Sequence, residues 1–186
     1  KATDITALAD KTNQPTTIKT KFKIEGASAD IVTALGKVVN TANANIKFEN
    51  NHTLSDLKSI NNATTGTIEL KNDTVALEGK TADITAALDG LTGYKGTITL
   101  SDATTETIKA TDITALANKT NQTTTIKNKF LVKGDAADVV TALGKVTNTG
   151  EANIKLTNAH DLTELSAINK ATEGSIIFFS LSENFK

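Results

Sequence analysis

The chain has 186 residues, a formal net charge of −1, and no Cys, Met or Trp. The lack of cysteine excludes disulfides, zinc–thiolate sites and thiol catalysis. All 20 basic residues are Lys, and a near-neutral chain without Arg does not favour binding to nucleic acid or to an anionic membrane. No apolar run approaches the roughly 18 residues that a membrane-spanning helix needs.

Short helices are predicted wherever Asp precedes an Ala/Leu-rich run, because an acidic residue in the first turn faces the positive end of the helix dipole. Gly36 and Gly144 follow two of these runs and are predicted to be left-handed residues that end the helix. Thr53 and Asp161 have the spacing of a capping box and are predicted to begin a second kind of helix. The Ala/Leu-rich runs occupy residues 3–8, 29–35, 82–88, 111–116 and 137–143.

Between these helices, a short sequence motif of alternating polar and apolar residues recurs, and each occurrence is called a word below. The alternation is typical of a half-buried strand. Successive words lie 22 to 30 residues apart, a spacing that is typical of solenoids. The words begin at Thr17, Asn45, Thr67, Thr97, Thr125, Asn153 and Ser175, with further extended words at Phe22, Val75 and Phe130.

A longer internal repeat contains several of these helices and words. Residues 2–70 return as residues 110–178 at a constant offset of 108 positions, and about 44 of the 69 aligned pairs are identical. A duplicated surface suits structure, assembly or multivalent binding better than one unique active site. Because the chain starts inside a repeat, we expect it to be a piece of a longer array. Residues 179–186 leave the pattern and are predicted to be a tail or a cap.

Together these elements predict a single α/β solenoid segment of about seven coils over residues 1–186. Each coil would add one strand to a parallel sheet and carry a short helix or turn, in the manner of a leucine-rich repeat. The alternative is an all-β right-handed parallel β-helix, in which the Ala/Leu-rich runs are turns. The sequence indicates no linker and no domain boundary.

Residues 56–68 (DLKSINNATTGTI) and 164–176 (ELSAINKATEGSI) resemble words in repetitive extracellular β-strand repeat proteins of cyanobacteria and other aquatic bacteria. The resemblance covers nearly the whole chain. It implies a cell-surface setting and a role in a surface array or an adhesin, and it implies no catalytic residue.

Candidate site residues recur in both copies, which favours an architectural role. His52 and His160 occupy matched positions and are predicted to be loop residues before a helix, since one His per copy does not make a metal site. Structural calcium stays open as an alternative, although no calcium-loop spacing is present. We therefore predict no catalytic, cofactor-binding or metal-binding residue. The recurrent acidic positions are Asp30, Asp83, Asp112 and Asp138.

The outward strand positions are predicted to form a solvated face. A polysaccharide-cleaving enzyme would need clustered carboxylates there. An ice-binding face would need a flat Thr array, of which Thr97 and Thr99 are the one clean example. The outward positions are Lys19, Lys47, Glu69, Thr99, Lys127 and Lys155.

The sequence thus predicts a non-enzymatic structural repeat module of an exported bacterial surface layer, filament or large adhesin. It would act by elongation and self-association, with other copies or other repeats of a longer parent chain as partners. The alternatives are an adhesive module that binds surface glycan or another cell, and a polysaccharide-active β-helix enzyme. No nucleic-acid partner and no transmembrane segment are expected.

Overall fold

The computed structural model describes residues 1–178, and the predicted tail or cap at 179–186 lies outside the described residues. Seven α-helices form in the described part, each between eight and ten residues long. They are α1 (Ala2–Ala9), α2 (Ser28–Gly36), α3 (Leu54–Ala63), α4 (Thr81–Leu88), α5 (Ala110–Ala117), α6 (Ala136–Lys145) and α7 (Leu162–Ala171).

Thirteen short strands alternate with these helices over residues 1–178. They are β1 (Thr16–Thr17), β2 (Phe22–Gly26), β3 (Val38–Val39), β4 (Ala44–Phe48), β5 (Ile68–Glu69), β6 (Leu77–Gly79), β7 (Ile98–Leu100), β8 (Thr107–Lys109), β9 (Thr124–Ile126), β10 (Leu131–Gly134), β11 (Val146–Thr147), β12 (Asn153–Leu156) and β13 (Ile176–Ile177).

The chain divides into two compact units. The first consists of Lys1–Leu77 and Ala82–Gly96, and it contains the ladders β1-β3 and β2-β4-β5. The second consists of Glu78–Thr81 and the described residues from Thr97 onward. It contains the ladder β8-β10-β12-β13 and the strands β7, β9 and β11, which belong to a sheet of order β11-β9-β7-β6.

Neighbouring strands pair in parallel, most of them at the same offset along the chain. Ile24 pairs with Ile46 and Ile46 with Ile68 in the first unit, so each partner lies 22 residues further along the chain. Val132 and Ile154 repeat the same offset in the second unit. Parallel strands need a crossover between them, and the short helices supply it. A strand and the helix that follows it are called a layer below. Each layer buries a row of aliphatic side chains.

The predicted helices are confirmed, and their ends follow local chemistry. The Thr53 hydroxyl accepts a hydrogen bond from the Asp56 amide at 3.1 Å and begins α3. Asp161 and Glu164 form the full capping box of α7, with the Glu164 amide donating to Asp161 at 2.7 Å. Helices of this length are marginal alone, so their packing against one another, α1 on α2 and α5 on α6, stabilises them.

The predicted fold class is wrong in its central feature. The strands of the described residues form four separate parallel sheets of two to four strands, not the one sheet of an α/β solenoid of the leucine-rich-repeat type. The chain changes direction within the repeat, and one kind of corner is marked by an unusual backbone angle. Asn40 and Asn148 adopt left-handed backbone angles, with φ of 63° and 58°, and each is followed by a single 3-10 turn. The chain turns there, so successive extended words join different ladders.

The all-β parallel β-helix is wrong as well, because the Ala/Leu-rich runs are helices and not turns. The expected left-handed helix ends at Gly36 and Gly144 are a further error. Gly36 is the last residue of α2, and Gly144 lies inside α6. The glycines with positive φ are Gly90 and Gly93 in the described part of the chain.

Candidate functional site: two exposed helix faces

Polar side chains of one layer satisfy the backbone of its neighbour. The Thr64 hydroxyl donates to the Ala44 carbonyl at 2.5 Å. The Asn45 side-chain oxygen accepts from the Thr67 amide at 2.9 Å, and Asn153 accepts from the Ser175 amide at 3.0 Å in the second copy. The bond from Thr64 to Ala44 is buried, and a buried main-chain carbonyl needs such a partner. Part of the Thr and Asn content therefore holds neighbouring layers together.

Asn40 and Asn148, at the corners of the chain, also bond to the backbone of a neighbouring layer. Asn40 donates from its side-chain nitrogen to the Ile18 carbonyl at 2.6 Å, and Asn148 donates to Ile126 at 2.7 Å. Asn tolerates left-handed backbone angles better than most residues. The corner and the link to the previous layer thus depend on one residue type.

Helices α2 and α4 are capped by residues that lie more than 20 positions further along the chain. Asn50 accepts from the Ser28 amide at 2.8 Å, at the start of α2. Asp102 is buried and accepts from both the amide and the hydroxyl of Thr81, at 3.0 and 2.5 Å, at the start of α4. These distant caps are not evident from the sequence, because capping rules place the capping residue next to its helix.

The recurrent Asp30, Asp83, Asp112 and Asp138 lie in the first turns of their helices, as predicted. Asp30 is not the residue that caps its helix, since Ala27 holds that position. Among residues 1–178, no group of three or more His, Asp or Glu side chains is placed to hold a metal ion.

The two histidines lie before α3 and α7 as predicted, but their surroundings differ. His52 is buried and stacks on Phe48 with ring centroids 5.8 Å apart, and neither ring nitrogen has a hydrogen-bond partner in the described part of the chain. Burial lowers the pKa of the His52 imidazole, against a smaller opposing effect of the Asp56 carboxylate. His160 is half-buried and stacks on Phe178 at 5.3 Å.

The outward strand positions form ion pairs in the first copy. Lys47 lies 3.4 Å from Glu69, and Lys23 lies 3.2 Å from the same carboxylate. The hydrogen bond from Lys23 is the main cause that lowers the pKa of Glu69. Lys127 pairs with Glu78, whereas Lys19 and Lys155 are exposed. Exposed pairs of this kind contribute little individually.

A cleft of about 660 Å³ lies in the first unit between residues 61–68 and 85–92. Its lining is mostly Asn, Thr and Gly, with Asp89 as the one carboxylate in the lining. A glycosidase of the usual kind needs a pair of carboxylates across its substrate. The residues that line the cleft therefore do not supply two carboxylates.

The clearest asymmetry between the copies lies in two helices. Helices α1 and α5 have the same sequence, ATDITALA, yet Leu8 is 61% exposed and the matching Leu116 only 2%. Ile5 is likewise half-buried, whereas Ile113 is buried. Residues three apart share one side of a helix, so Ile5 and Leu8 define the α1 face.

Helix α7 shows the opposite asymmetry with its counterpart α3. Leu162 is 82% exposed, whereas Leu54 is half-buried. Leu165 is half-buried, whereas Leu57 is buried. Leu162 and Leu165 are three residues apart and define the α7 face. The chain thus presents two different apolar helix faces whose duplicates are better covered.

No protein-family model, curated protein sequence or solved structure matches the chain. Within the part that the structure describes, no helix is long and apolar enough to cross a bilayer.

Proposed function

We propose that this chain is a structural repeat module of an exported bacterial surface layer, filament or large adhesin, in which copies associate through the α1 and α7 faces. The observation that carries the proposal is the exposure of Leu8 beside the burial of Leu116 in an identical helix. The exported setting is supported by the resemblance of the repeat words and by the Cys-free, Thr/Asn-rich composition.

The occupant of the α7 face is the α1 helix of a second copy. A template exists inside the first unit, where α3 lies beside α4. Asn61 donates to the carbonyls of Ala86 and Asp89 at 2.7 and 2.8 Å, and Lys58 pairs with Asp83. Those bonds join the counterpart of α7 to a helix of sequence TADITAAL.

Residues that correspond to this template recur on the α1 and α7 faces. Helix α1 reads ATDITALA, close to the sequence of α4. On α7, Asn169 stands at the position of Asn61 and is exposed. It can donate to the last carbonyls of an incoming α1, as Asn61 does to α4. Ser166 replaces Lys58, so the ion pair of the template is not reproduced.

An interface between two different faces is heterologous and leaves one free face of each kind on every assembly. Such contacts generate rings or open chains and do not stop at a dimer. Full burial of one Leu contributes about 1.5–3 kcal/mol, whereas association costs roughly 4–15 kcal/mol in lost freedom of motion. We therefore expect assembly that depends strongly on concentration.

The test uses one charge on each face. Leu8→Lys should block the α1 face and Leu162→Lys the α7 face, so each variant alone should be monomeric in sedimentation velocity. An equimolar mixture should form a dimer, because each variant keeps one intact face. A dimer of either variant alone, or no dimer in the mixture, contradicts the heterologous contact.

Matched controls place the same charge on solvent-facing positions of the same helices. Thr3 and its duplicate Thr111 are both exposed, as are Thr163 and its duplicate Ser55. Thr3→Lys and Thr163→Lys should therefore assemble as the unchanged chain does. An unchanged chain that stays monomeric at all accessible concentrations would contradict the proposal and favour the adhesive alternative.

A further inference from the structure

A row of lysines crosses one sheet of the second unit. Parallel register places Lys109 of β8, Lys133 of β10 and Lys155 of β12 side by side, and Ile177 of β13 continues the row. All three lysines are exposed. Adjacent strands lie roughly 4.8 Å apart, so three ammonium groups line up across the sheet.

The first copy has the same row with a different charge pattern. Its counterparts at the offset of 108 are Lys1, Glu25, Lys47 and Glu69, so the charges alternate. These groups pair with one another: Lys1 donates to Glu25 at 3.5 Å, and Lys47 lies 3.4 Å from Glu69. Lys1 also pairs with Glu49 and Glu69 with Lys23, so every charge of the first row has an oppositely charged partner in the row or beside it.

In the second row, both glutamates have been replaced, by Lys133 and Ile177. No carboxylate of residues 1–178 forms an ion pair with Lys109, Lys133 or Lys155. Like charges directly opposite one another on neighbouring strands are destabilising. The paired pattern of the first copy would avoid this repulsion on the same backbone, so folding alone does not explain the lysine row.

We propose that the row Lys109–Lys133–Lys155 binds a linear acidic polysaccharide, one that carries carboxylate or sulfate groups along its chain. Each Lys supplies a point charge with rotatable donors. One sugar of an extended chain advances by about the distance between neighbouring strands, so successive anionic groups can meet successive lysines.

The neighbouring side chains also suit a sugar. Two residues before each lysine on the same outward side lie Thr107, Leu131 and Asn153. Thr107 is exposed, and Leu131 is half-buried. They offer a hydroxyl and an apolar surface beside the charges. Nucleic acid is disfavoured, because the chain has no Arg and the row contains no aromatic side chain on which a base could stack.

The decisive variant is Lys133→Glu, which gives the first three positions of the second row the charge order of the first row. Because the first copy folds with Glu25 at this position, the variant is compatible with the backbone. The probes are polygalacturonate for carboxylate and dextran sulfate for sulfate, with neutral dextran as the blank. The chain should carry Leu8→Lys, so that assembly does not add avidity and the result is independent of the proposed self-association.

We expect Lys133→Glu to weaken binding of at least one acidic probe by about tenfold, with an unchanged circular dichroism spectrum and melting temperature. The control is Lys119→Glu, which makes the same change in net charge at an exposed site outside the row.

Several results would overturn the proposal. One is equal loss of binding in Lys133→Glu and Lys119→Glu, which would indicate attraction by net charge alone. Another is retention on neutral dextran that matches retention on the acidic probes. Tighter binding to single-stranded DNA than to either polysaccharide at the same ionic strength would assign the row to a different class of ligand.

Discussion

Leu8 and Leu116 occupy the same position in two helices of identical sequence. Truncating each of them measures how much the surroundings of the helix contribute to stability. Leu116→Ala removes a side chain that is 2% exposed, and truncations of this kind cost about 3 kcal/mol through lost burial and the cavity left behind. Leu8→Ala removes a side chain that is 61% exposed. It should cost at most about 0.5 kcal/mol in the monomer, as most surface substitutions do.

The assay is urea unfolding followed by circular dichroism at a low and a high protein concentration. With a urea dependence of about 1–3 kcal/mol per molar, Leu116→Ala should move its transition by about 1 M or more at both concentrations. Leu8→Ala should move it only at high concentration, where α1 is covered by a second copy. Equal shifts for both variants at low concentration would refute the burial argument, since local sequence would then decide the cost.

Three further predictions concern the interior. Gly174→Ala should destabilise the chain by about 2 kcal/mol, because a Cβ there would clash with the Ala152 carbonyl; Gly36→Ala, with open space at its Cβ, should be neutral or slightly stabilising in the same denaturation assay. His52 is stabilised in its neutral form, so stability should fall as pH drops below the unfolded pKa of about 6.5, an effect that His52→Phe removes and that an NMR titration checks. Burial raises the pKa of Tyr94 to about 12, so its ionisation by ultraviolet absorbance should be delayed, and stability should fall as pH rises from about 10 towards that value.

Local structure followed from local pattern. The Ala/Leu-rich run at 29–35 lies within α2, and the word that begins at Asn45 lies within β4. The capping spacing at Asp161 produced the predicted pair of hydrogen bonds. These elements depend on residues within a few positions of one another, which is the range that periodicity and capping rules cover.

The sheet arrangement did not follow, because it depends on where the backbone turns between successive extended segments, and in one case on the backbone angle of a single residue. A left-handed Asn40 looks the same in the sequence as any other Asn in an Asn-rich chain, yet it sends β3 and β4 into different ladders. The hydrogen bonds between layers could not be predicted either. They join residues 22 positions apart, whereas periodicity and capping rules concern residues a few positions apart.

Part of the candidate site was within reach of the sequence. The replacement of Glu25 by Lys133 can be read from the two aligned copies. The unequal exposure of Leu8 and Leu116 could not be read there, because the two helices are identical in sequence and differ only in their surroundings.

The bonds between layers constrain how such a chain can change in length. Asn45 meets Thr67 and Asn153 meets Ser175 at the same separation of 22 residues. An insertion of one residue within either paired strand would shift the rest of that strand by one position and turn its inward side chains to the opposite face. Changes of length are therefore tolerated in the connections between strands, as the offsets of 24 residues from Thr107 to Leu131 and 26 from Ile98 to Thr124 show, whereas single-residue insertions or deletions within a paired strand should be rejected.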